Sequence, residues 1–306
     1  MNITMRQLKI FQSVARNLSY TKAAAELHLT QPAVSMQIKQ LEDNLGLPLF
    51  EQMGKKIFLT EAGKEMIHYS YTISQQLEEI YEVFARLQGL EQGTLRLAVP
   101  GTANQFVTQF LAEFRRRHPA VNFNLDIANR RGLLNRLENN EIDLVIMGKP
   151  PDDMELVSEC FMNNPLVVIA GPDHPLTKRK KIPLAELMEN EFAVREEGSG
   201  TRIAMQRFLD EHNVVLKTSM EMTSNETLKQ AVAAGLGLGI VSMHTLEMEL
   251  TLQRLKVLKA EAFPIMRHWY IVYREGKRLS PIARTFRDFV VNDAVKLWSL
   301  AKLTAA

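Results

Sequence analysis

The chain has 306 residues, of which 46% are hydrophobic and 24% charged, and its formal net charge is +2. This length exceeds one hydrophobic core and predicts two or three domains with the composition of a soluble globular protein. No apolar run reaches the ~18 residues of a membrane span, and the first residues lack the pattern of a signal peptide. The single cysteine, Cys160, excludes an internal disulfide framework. We therefore expect a cytoplasmic protein.

Charge along the chain is uneven. The first 60 residues hold seven Lys or Arg against four acidic residues, whereas residues 61–90 hold two basic and five acidic residues. Such a mild basic excess is weak evidence for nucleic-acid binding. The hydrophobic spacing in the same segment is more informative.

Three short helices are predicted in the first 45 residues. The first covers residues 5–17, and Thr21 can cap the second. The third begins at the N-cap Thr30 with Pro32 in its first turn, runs to about Asn44 and stops at Gly46. The expected inward residues are Leu8, Phe11, Val14, Leu18, Ala23, Ala24, Leu27, Val34, Ile38, Leu41 and Leu45.

The outward face of the third helix is polar but hardly charged. Its residues are Gln31, Ser35, Met36, Gln37, Lys39 and Gln40. A merely solvated face usually carries Glu and Lys pairs, whereas Gln, Ser and Lys can contact base edges and phosphates. After an apolar plug at 47–50, Gly54, Lys55 and Lys56 predict a basic turn between two short extended segments. This pattern is typical of a wing whose lysines reach phosphates.

A long helix is predicted from Glu61 to about residue 89. Apolar residues recur along it every seven positions, with others between them: Met66, Ile73, Leu77, Ile80, Phe84 and Leu87. A helix packed on its own domain would explain part of this pattern. A helix of ~40 Å is longer than the diameter of a domain of about sixty residues. A dimerising linker helix is therefore the better interpretation. Two recognition helices could then address two half-sites.

The remaining 216 residues alternate between strands and helices. We expect βαβαβ over residues 94–147, then a second α/β set over residues 166–241, a strand at 268–273 and a last helix from Ser280 to about Leu303. This order predicts two α/β subdomains with a late return to the first, as in periplasmic binding proteins. The chain would cross at 163–165 and return at 265–268.

Open α/β sheets bind ligands at the carboxyl ends of their strands, so we expect a ligand in the cleft between the subdomains. Three turns there begin helices and offer free N–H groups and hydroxyls, which suits an anion; ordinary helix capping is the alternative for each. Lys149, Arg195 and Arg202 could complement a carboxylate or phosphate. The predicted effector-binding residues are Gly101, Thr102, Ala103, Asn104, Lys149, Arg195, Ser199, Thr201, Arg202, Asn225 and Glu226.

Residues 5–63 resemble the DNA-binding domain of LysR-type transcriptional regulators, above all in AAAELHLTQPAVS, LEDNLGLPLFEQ and LTEAG. The resemblance implies a winged helix-turn-helix (about residues 20–39) in which helix 31–44 enters the major groove. Met36 could contact a thymine methyl or cover a sugar. The expected DNA-binding residues are Thr21, Thr30, Gln31, Pro32, Ser35, Met36, Lys39, Lys55 and Lys56.

The stretches NNEIDLVIMGKPP, NPLVVIAGPDHPL and REEGSGTR resemble the LysR-type subgroup that activates RuBisCO and Calvin-cycle operons. This resemblance implies an activator of carbon-fixation genes with a phosphorylated metabolite or NADPH as effector. Promoter DNA, RNA polymerase and further copies of the chain, up to a homotetramer, are the implied partners. The resulting division is a DNA-binding domain (1–60), a linker helix (61–90) and an effector domain (91–306), with subdomain I at 91–163 and 268–306 and subdomain II at 164–267.

Two other classes are weighed against this one. A metabolite-binding protein without regulatory output predicts no DNA affinity. An α/β enzyme lacks support, because no nucleophile and base are assembled. The glycines at 235, 237 and 239 follow a helix and precede a strand, which is the wrong order for a dinucleotide fingerprint. The histidines show no metal spacing, so neither a metal nor a resident cofactor is expected.

Overall fold

The computed structural model describes residues 3–54, 56–87 and 93–298. The predicted wing lysine Lys55, the boundary near residue 91 and the last residues before Leu303 lie outside these ranges. The chain divides into two compact units, residues 1–90 with 138–141, and 91–137 with 142–306. They are described separately below.

The first unit contains four helices and one hairpin. These are α1 (Met5–Asn17), α2 (Tyr20–Glu26), α3 (Gln31–Leu45), β1 (Phe50–Met53), β2 (Lys56–Leu59) and α4 (Glu61–Leu87). Its core combines the inward faces of α1, α2 and α3 with Leu49 and Phe50. The small Ala23 and Ala24 are buried at these crossings, as predicted.

Two details of the predicted helices were wrong. Leu18 is 45% exposed, because it adopts a left-handed backbone (φ 44°) that ends α1. The N-cap of α2 is Ser19 rather than Thr21, since the Ser19 hydroxyl accepts a hydrogen bond from the Lys22 amide at 3.3 Å. Thr21 therefore lies within the first turn of α2, which ends at Glu26.

The hairpin and the start of α4 pack tightly together. Strands β1 and β2 pair antiparallel, with Gly54 at φ 63° in their turn. At Gly63 an added Cβ would lie 2.1 Å from the Leu49 carbonyl oxygen and 2.9 Å from the Leu59 side chain. Only glycine permits this close approach, so the hairpin and the first turn of α4 are fixed against each other.

Helix α4 changes character along its length. Met66 and Ile67 pack against the core of the unit, and Ser70 is fully buried, with its hydroxyl donating to the Ile67 carbonyl. Further on, Ile73, Leu77, Ile80 and Phe84 are 41, 37, 53 and 61% exposed. Packing within the first unit therefore explains only the apolar residues of the first predicted heptad.

The second unit contains two five-stranded mixed sheets, which confirms the predicted fold class. One has the order β4-β3-β5-β12-β6 and the other β11-β7-β10-β8-β9. The first sheet uses β3 (Gly93–Val99), β4 (Val121–Ile127), β5 (Leu144–Met147), β6 (Leu156–Asn163) and β12 (His268–Arg274), and the second uses β7 (Leu166–Ala170), β8 (Glu191–Arg195), β9 (Lys217–Met222), β10 (Leu238–Ser242) and β11 (Lys256–Val257).

Helices link most consecutive strands of this unit, and one helix follows the last strand. They are α5 (Asn104–Arg117), α6 (Arg130–Glu138), α7 (Leu184–Met188), α8 (Gly200–His212), α9 (Asn225–Ala233), α10 (Glu247–Thr251) and α11 (Pro281–Asn292). The aromatic side chains of Phe106, Phe110 and Phe114 on α5 are fully or almost fully buried. Strand β6 was not predicted, since its burial alternates only over part of its length.

The chain passes between the two sheets twice, and the passages lie side by side. The Asn164 amide donates to the Arg267 carbonyl at 2.6 Å, and the Leu166 amide to the Ile265 carbonyl at 2.9 Å. Residues after β6 enter the second sheet here, and residues before β12 return to the first.

The last helix ends earlier than predicted. It stops at Asn292, and a 3₁₀ turn at Ala294–Leu297 then brings Trp298 inward. The Trp298 indole Nε1–H donates to His244 Nδ1 at 2.6 Å, and His244 Nε2 donates to the Asn163 carbonyl at 2.7 Å. His244 is fully buried in this arrangement. Because one ring nitrogen accepts and the other donates, the imidazole is neutral.

His244 predicts acid sensitivity of the second unit. Burial lowers the pKa of His244 from 6.5 to about 4. The hydrogen bond to the Asn163 carbonyl raises the pKa and so opposes this effect, whereas the positive charge of Arg267 lowers it further. The unfolded chain therefore binds more protons between these pH values, and stability falls as pH drops from 6.5 to 4, by about 3 kcal/mol in total. Urea unfolding followed by tryptophan fluorescence should show this loss in the wild type and a flatter profile in H244N. The exposed His28, at φ 53°, supplies the control H28N; an unaltered profile in H244N would contradict the assignment.

Candidate effector cleft and DNA-binding face

The second unit contains a cleft of about 620 Å³. It is formed by the turns that follow β3, β4, β5, β8 and β9, hence by carboxyl ends of strands from both sheets. Pro100, Met147, Arg195 and Thr223 mark four of these strand ends. The cleft lies where the sequence predicts an effector site.

The structure brings most of the predicted effector residues together. Seven of them line the cleft: Gly101, Thr102, Lys149, Arg195, Ser199, Thr201 and Asn225. Four are not among the lining residues. Ala103 is fully buried, Asn104 is exposed at the start of α5, Arg202 lies one residue past the lining Thr201, and the Glu226 carboxylate pairs with Lys229 at 2.9 Å.

Two of the predicted cations already have partners. Lys149 Nζ lies 3.0 Å from the Asp152 carboxylate. The Arg195 guanidinium makes two bonds to Glu196, at 2.7 and 2.8 Å. Because Asp152 and Glu196 also line the cleft, these pairs largely cancel their own charges.

The free cation at the cleft's inner end is Arg267, which the sequence reasoning missed. Its guanidinium Nη1 donates to the Gly200 carbonyl at 3.0 Å and Nη2 to the Thr201 hydroxyl at 3.4 Å. Its Nε is buried without a hydrogen-bond partner, and no carboxylate of the described residues pairs with it. Burial lowers the pKa of Arg267 to about 9, so the side chain stays protonated at neutral pH.

Two other residues carry buried polar groups that lack partners. Trp269 is 1% exposed and its indole Nε1 has no acceptor; Asn225 is 7% exposed and neither side-chain amide atom is bonded. Both residues line the cleft. Leaving a buried polar group unsatisfied costs about 1–3 kcal/mol. Acceptor oxygens of a ligand in the cleft would satisfy the indole, the amide nitrogen and Arg267 Nε.

The hydroxyls of the turns before α5 and α8 differ in their roles. Ser199 accepts from the Arg202 amide at 3.1 Å, which is ordinary N-capping of α8. The Thr201 hydroxyl accepts from Arg267. Thr102 is 7% exposed and lines the cleft. The alternative of capping thus applies to Ser199, whereas Thr102 remains available to a ligand.

In the first unit, the predicted DNA-binding residues form an accessible surface. Thr21, Thr30, Gln31, Pro32, Met36, Lys39 and Lys56 are exposed, and Ser35 is half-buried. Thr30 occupies the N-cap position of α3, but its side chain makes no capping hydrogen bond. The Glu42 carboxylate accepts from the backbone amides of Leu49 and Phe50, at 2.7 and 3.2 Å, so one of its oxygens is occupied by the chain itself.

Within residues 3–54, 56–87 and 93–298, no helix is long and apolar enough to cross a membrane. The same residues contain no group of three side chains suited to hold a metal ion.

Two family models match the chain. Residues 5–64 match the bacterial regulatory helix-turn-helix protein of the lysR family, and residues 88–294 match the LysR substrate binding domain. The RuBisCO operon transcriptional regulator of Allochromatium vinosum is 53% identical over 97% of this chain and 98% of its own. The HTH-type transcriptional activator CmpR of Synechocystis is 47% identical over 94% of this chain and 95% of its own.

Solved structures agree with the fold. The Synechocystis CcmR regulatory domain in complex with 2-PG is 41% identical, covers 66% of this chain and 99% of that chain, and has a TM-score of 0.63. Full-length CbnR complexed with its target DNA covers 94% of this chain and 99% of its own, with a TM-score of 0.68. At 19% identity this similarity supports the fold alone. The matched models cover both units, so the chain belongs to the LysR family of bacterial DNA-binding transcriptional regulators and not to an enzyme family.

Proposed function

We propose that this chain activates carbon-fixation genes in response to a small anion bound in the cleft. The observation that carries the proposal is the set of buried donors without partners, Arg267 Nε, Trp269 Nε1 and the Asn225 amide, in a chain that also carries an exposed recognition helix. The similar regulators of a RuBisCO operon supply the class of target gene. A metabolite-binding protein without DNA binding would not account for the family match over residues 5–64.

For DNA recognition, we propose that α3 enters the major groove. Gln31 and Ser35 lie one turn apart near its N-terminal end and can read base edges. Lys39 and Lys56 supply phosphate contacts, with Lys55 expected beside them. Met36, at 55% exposure, can contact a thymine methyl or a sugar.

A mobility-shift assay with promoter DNA next to the protein's own gene tests this assignment. Q31A and S35A should each lower specific affinity by about 10- to 100-fold at fixed salt, because a good base contact contributes about 1–3 kcal/mol of discrimination. Non-specific binding should change little, since neither substitution alters charge. K9A, at an exposed position of α1 outside the helix-turn-helix, is the control. Equal specific affinity in all variants would contradict the recognition role of α3.

For assembly, we propose that the linker segment 61–90, which contains α4, joins two chains and that dimers associate further to a tetramer that contacts RNA polymerase. The exposed apolar residues of α4 support the dimer. The effector domain is proposed to comprise residues 91–306, with subdomain I at 91–163 and 268–306 and subdomain II at 164–267. Ligand binding would shift the population between two arrangements of these subdomains.

For the effector, we propose a phosphorylated metabolite, with NADPH as the second candidate. A phosphate carries about −1.5 to −2 charge at neutral pH and three acceptor oxygens. That matches the donors of Arg267, Trp269 and Asn225 in number and charge. The relative solved in complex with 2-PG supports a small-molecule ligand of this size class.

A further inference from the structure

A basic surface lies at one edge of the second sheet. Residues 178–181 are four consecutive cations, and Lys256 and Lys259 lie in and just after the edge strand β11. The two segments run side by side, since the Ile182 amide donates to the Lys259 carbonyl at 3.0 Å and the Glu261 amide donates to the Ile182 carbonyl at 2.8 Å. All six cations are exposed. We call this surface the basic edge, and it consists of Lys178, Arg179, Lys180, Lys181, Lys256 and Lys259.

The fold fixes the backbone of the basic edge. Leu176 and Ile182, which flank the four consecutive cations, are 8% and 0% exposed and belong to the core of the second sheet. A 3₁₀ turn at Pro175–Lys178 leads into the segment, and its N-cap His174 accepts a hydrogen bond from the Leu176 amide at 3.3 Å. Cations on an ordered backbone lose less conformational entropy on binding than cations on a free loop. The basic edge is therefore preorganised for a contact.

Most of the charge of the basic edge is not compensated. Arg179 pairs with the Glu186 carboxylate at 3.1 Å. Lys181 pairs with the Glu261 carboxylate at 2.8 Å. Among the residues that the structure describes, no carboxylate pairs with the other four cations, which are Lys178, Lys180, Lys256 and Lys259. This local excess of positive charge is larger than the net charge of +2 of the whole chain, so the basic edge favours contact with a polyanion.

The composition of the basic edge favours nucleic-acid phosphates over an acidic protein surface. All of its cations except Arg179 are lysines, and residues 178–183 and 256–261, all of them described, expose no large apolar side chain. Protein interfaces are enriched in aromatic residues, Met and Arg and depleted of Lys. Lysines contact phosphates as point charges and need no apolar surface around them. Duplex DNA is the polyanion that this family of regulators binds.

We propose that the basic edge contacts phosphates of duplex DNA beside the sequence that α3 reads. Its contribution is affinity without base specificity, because phosphate contacts carry no sequence information. None of the six cations lines the cleft, so the contact does not require an effector. DNA held by the first unit is at a high effective concentration for the second unit of the same chain. A few exposed lysines are therefore enough for a measurable contact.

Mobility-shift assays of the full-length protein over a salt series test the basic edge. The probes are a short promoter duplex trimmed to the sequence needed for specific binding and a long duplex with its natural flanks. On the long duplex, K178Q/K180Q should reduce the slope of log affinity against log salt by about two, since each lost phosphate contact reduces it by about 0.9. K178Q/K180Q/K256Q/K259Q should reduce it by about four. On the short duplex both variants should match the wild type, and randomised flanks should leave wild-type affinity for the long duplex unchanged.

The control is R115Q/K217Q, which removes two exposed cations of the same unit, one on α5 and one on β9 at the opposite edge of the second sheet. It should keep the wild-type slope on both duplexes. An unchanged slope in K178Q/K180Q, or an equal loss in this variant and the control, would overturn the proposal. Normal DNA binding with lost promoter activation in K178Q/K180Q would also overturn it and assign the basic edge to an acidic protein. Failure of the α3 assignment is distinguishable, because it appears in Q31A on the short duplex.

Discussion

Replacing Arg267 by alanine is expected to lower affinity for an anionic effector by about 10- to 150-fold while the ligand-free protein stays as stable as the wild type. A hydrogen bond to a charged group contributes about 1.5–3 kcal/mol, which sets the loss of affinity. The unpaired buried charge costs desolvation free energy in the ligand-free state, and its removal offsets the lost bonds to Gly200 and Thr201. R267K should recover only part of the affinity, because an ammonium lacks the planar set of donors.

Calorimetry and thermal unfolding of the same variants measure these two effects. R254A, which removes an exposed arginine of the same domain, should match the wild type in both. A large loss of ligand-free stability in R267A with unchanged ligand affinity would show that Arg267 has a structural role only.

Placing glutamates at Leu77 and Ile80 is expected to dissociate the proposed dimer and lower promoter affinity by about 100-fold or more. Each apolar side chain buried at the seam contributes about 1.5–3 kcal/mol, and a buried unpaired carboxylate reverses that contribution. A single chain then engages one half-site and loses the effective concentration that links two sites.

Sedimentation velocity and a mobility-shift assay over a concentration series measure this effect. E78Q, at an exposed position of α4 off the seam, should remain dimeric and bind DNA normally. An L77E/I80E variant that stays dimeric would show that the interface lies elsewhere.

The sequence predicted the elements whose local signals are strong. Hydrophobic spacing located α1, α3 and α4. The second α/β set begins at residue 166 as predicted, because β7 is a run of five buried residues. Caps were less predictable. Ser19 and Thr21 are chemically equivalent candidates, and the structure selects Ser19 because the chain is extended there (φ −160°, ψ 120°).

The candidate site shows the same limit. Turns at helix N-termini are recognisable in a sequence, so Thr102, Thr201 and Asn225 were predicted. Arg267 and Trp269 precede and begin a strand, where no local pattern marks a ligand site. They line the cleft because the returning chain passes beside Asn164. This contact joins residues that are far apart in the sequence, so no local pattern predicts it. Ion pairing also decides whether a cation is available to a ligand. Arg195 is paired with Glu196, whereas no carboxylate of the described residues pairs with Arg267.

The close packing at Gly63 makes the first unit a rigid lever. A Cβ at this position would collide with the Leu49 carbonyl oxygen, so the hairpin cannot pivot on α4. At 1.5 Å per residue, the 27 residues of α4 extend about 40 Å. Rotating a helix of this length by about 5° about one end displaces the other end by about 3.5 Å, close to the ~3.4 Å rise of one base pair. A small change in how two such helices cross would therefore be enough to change the operator spacing that the pair fits.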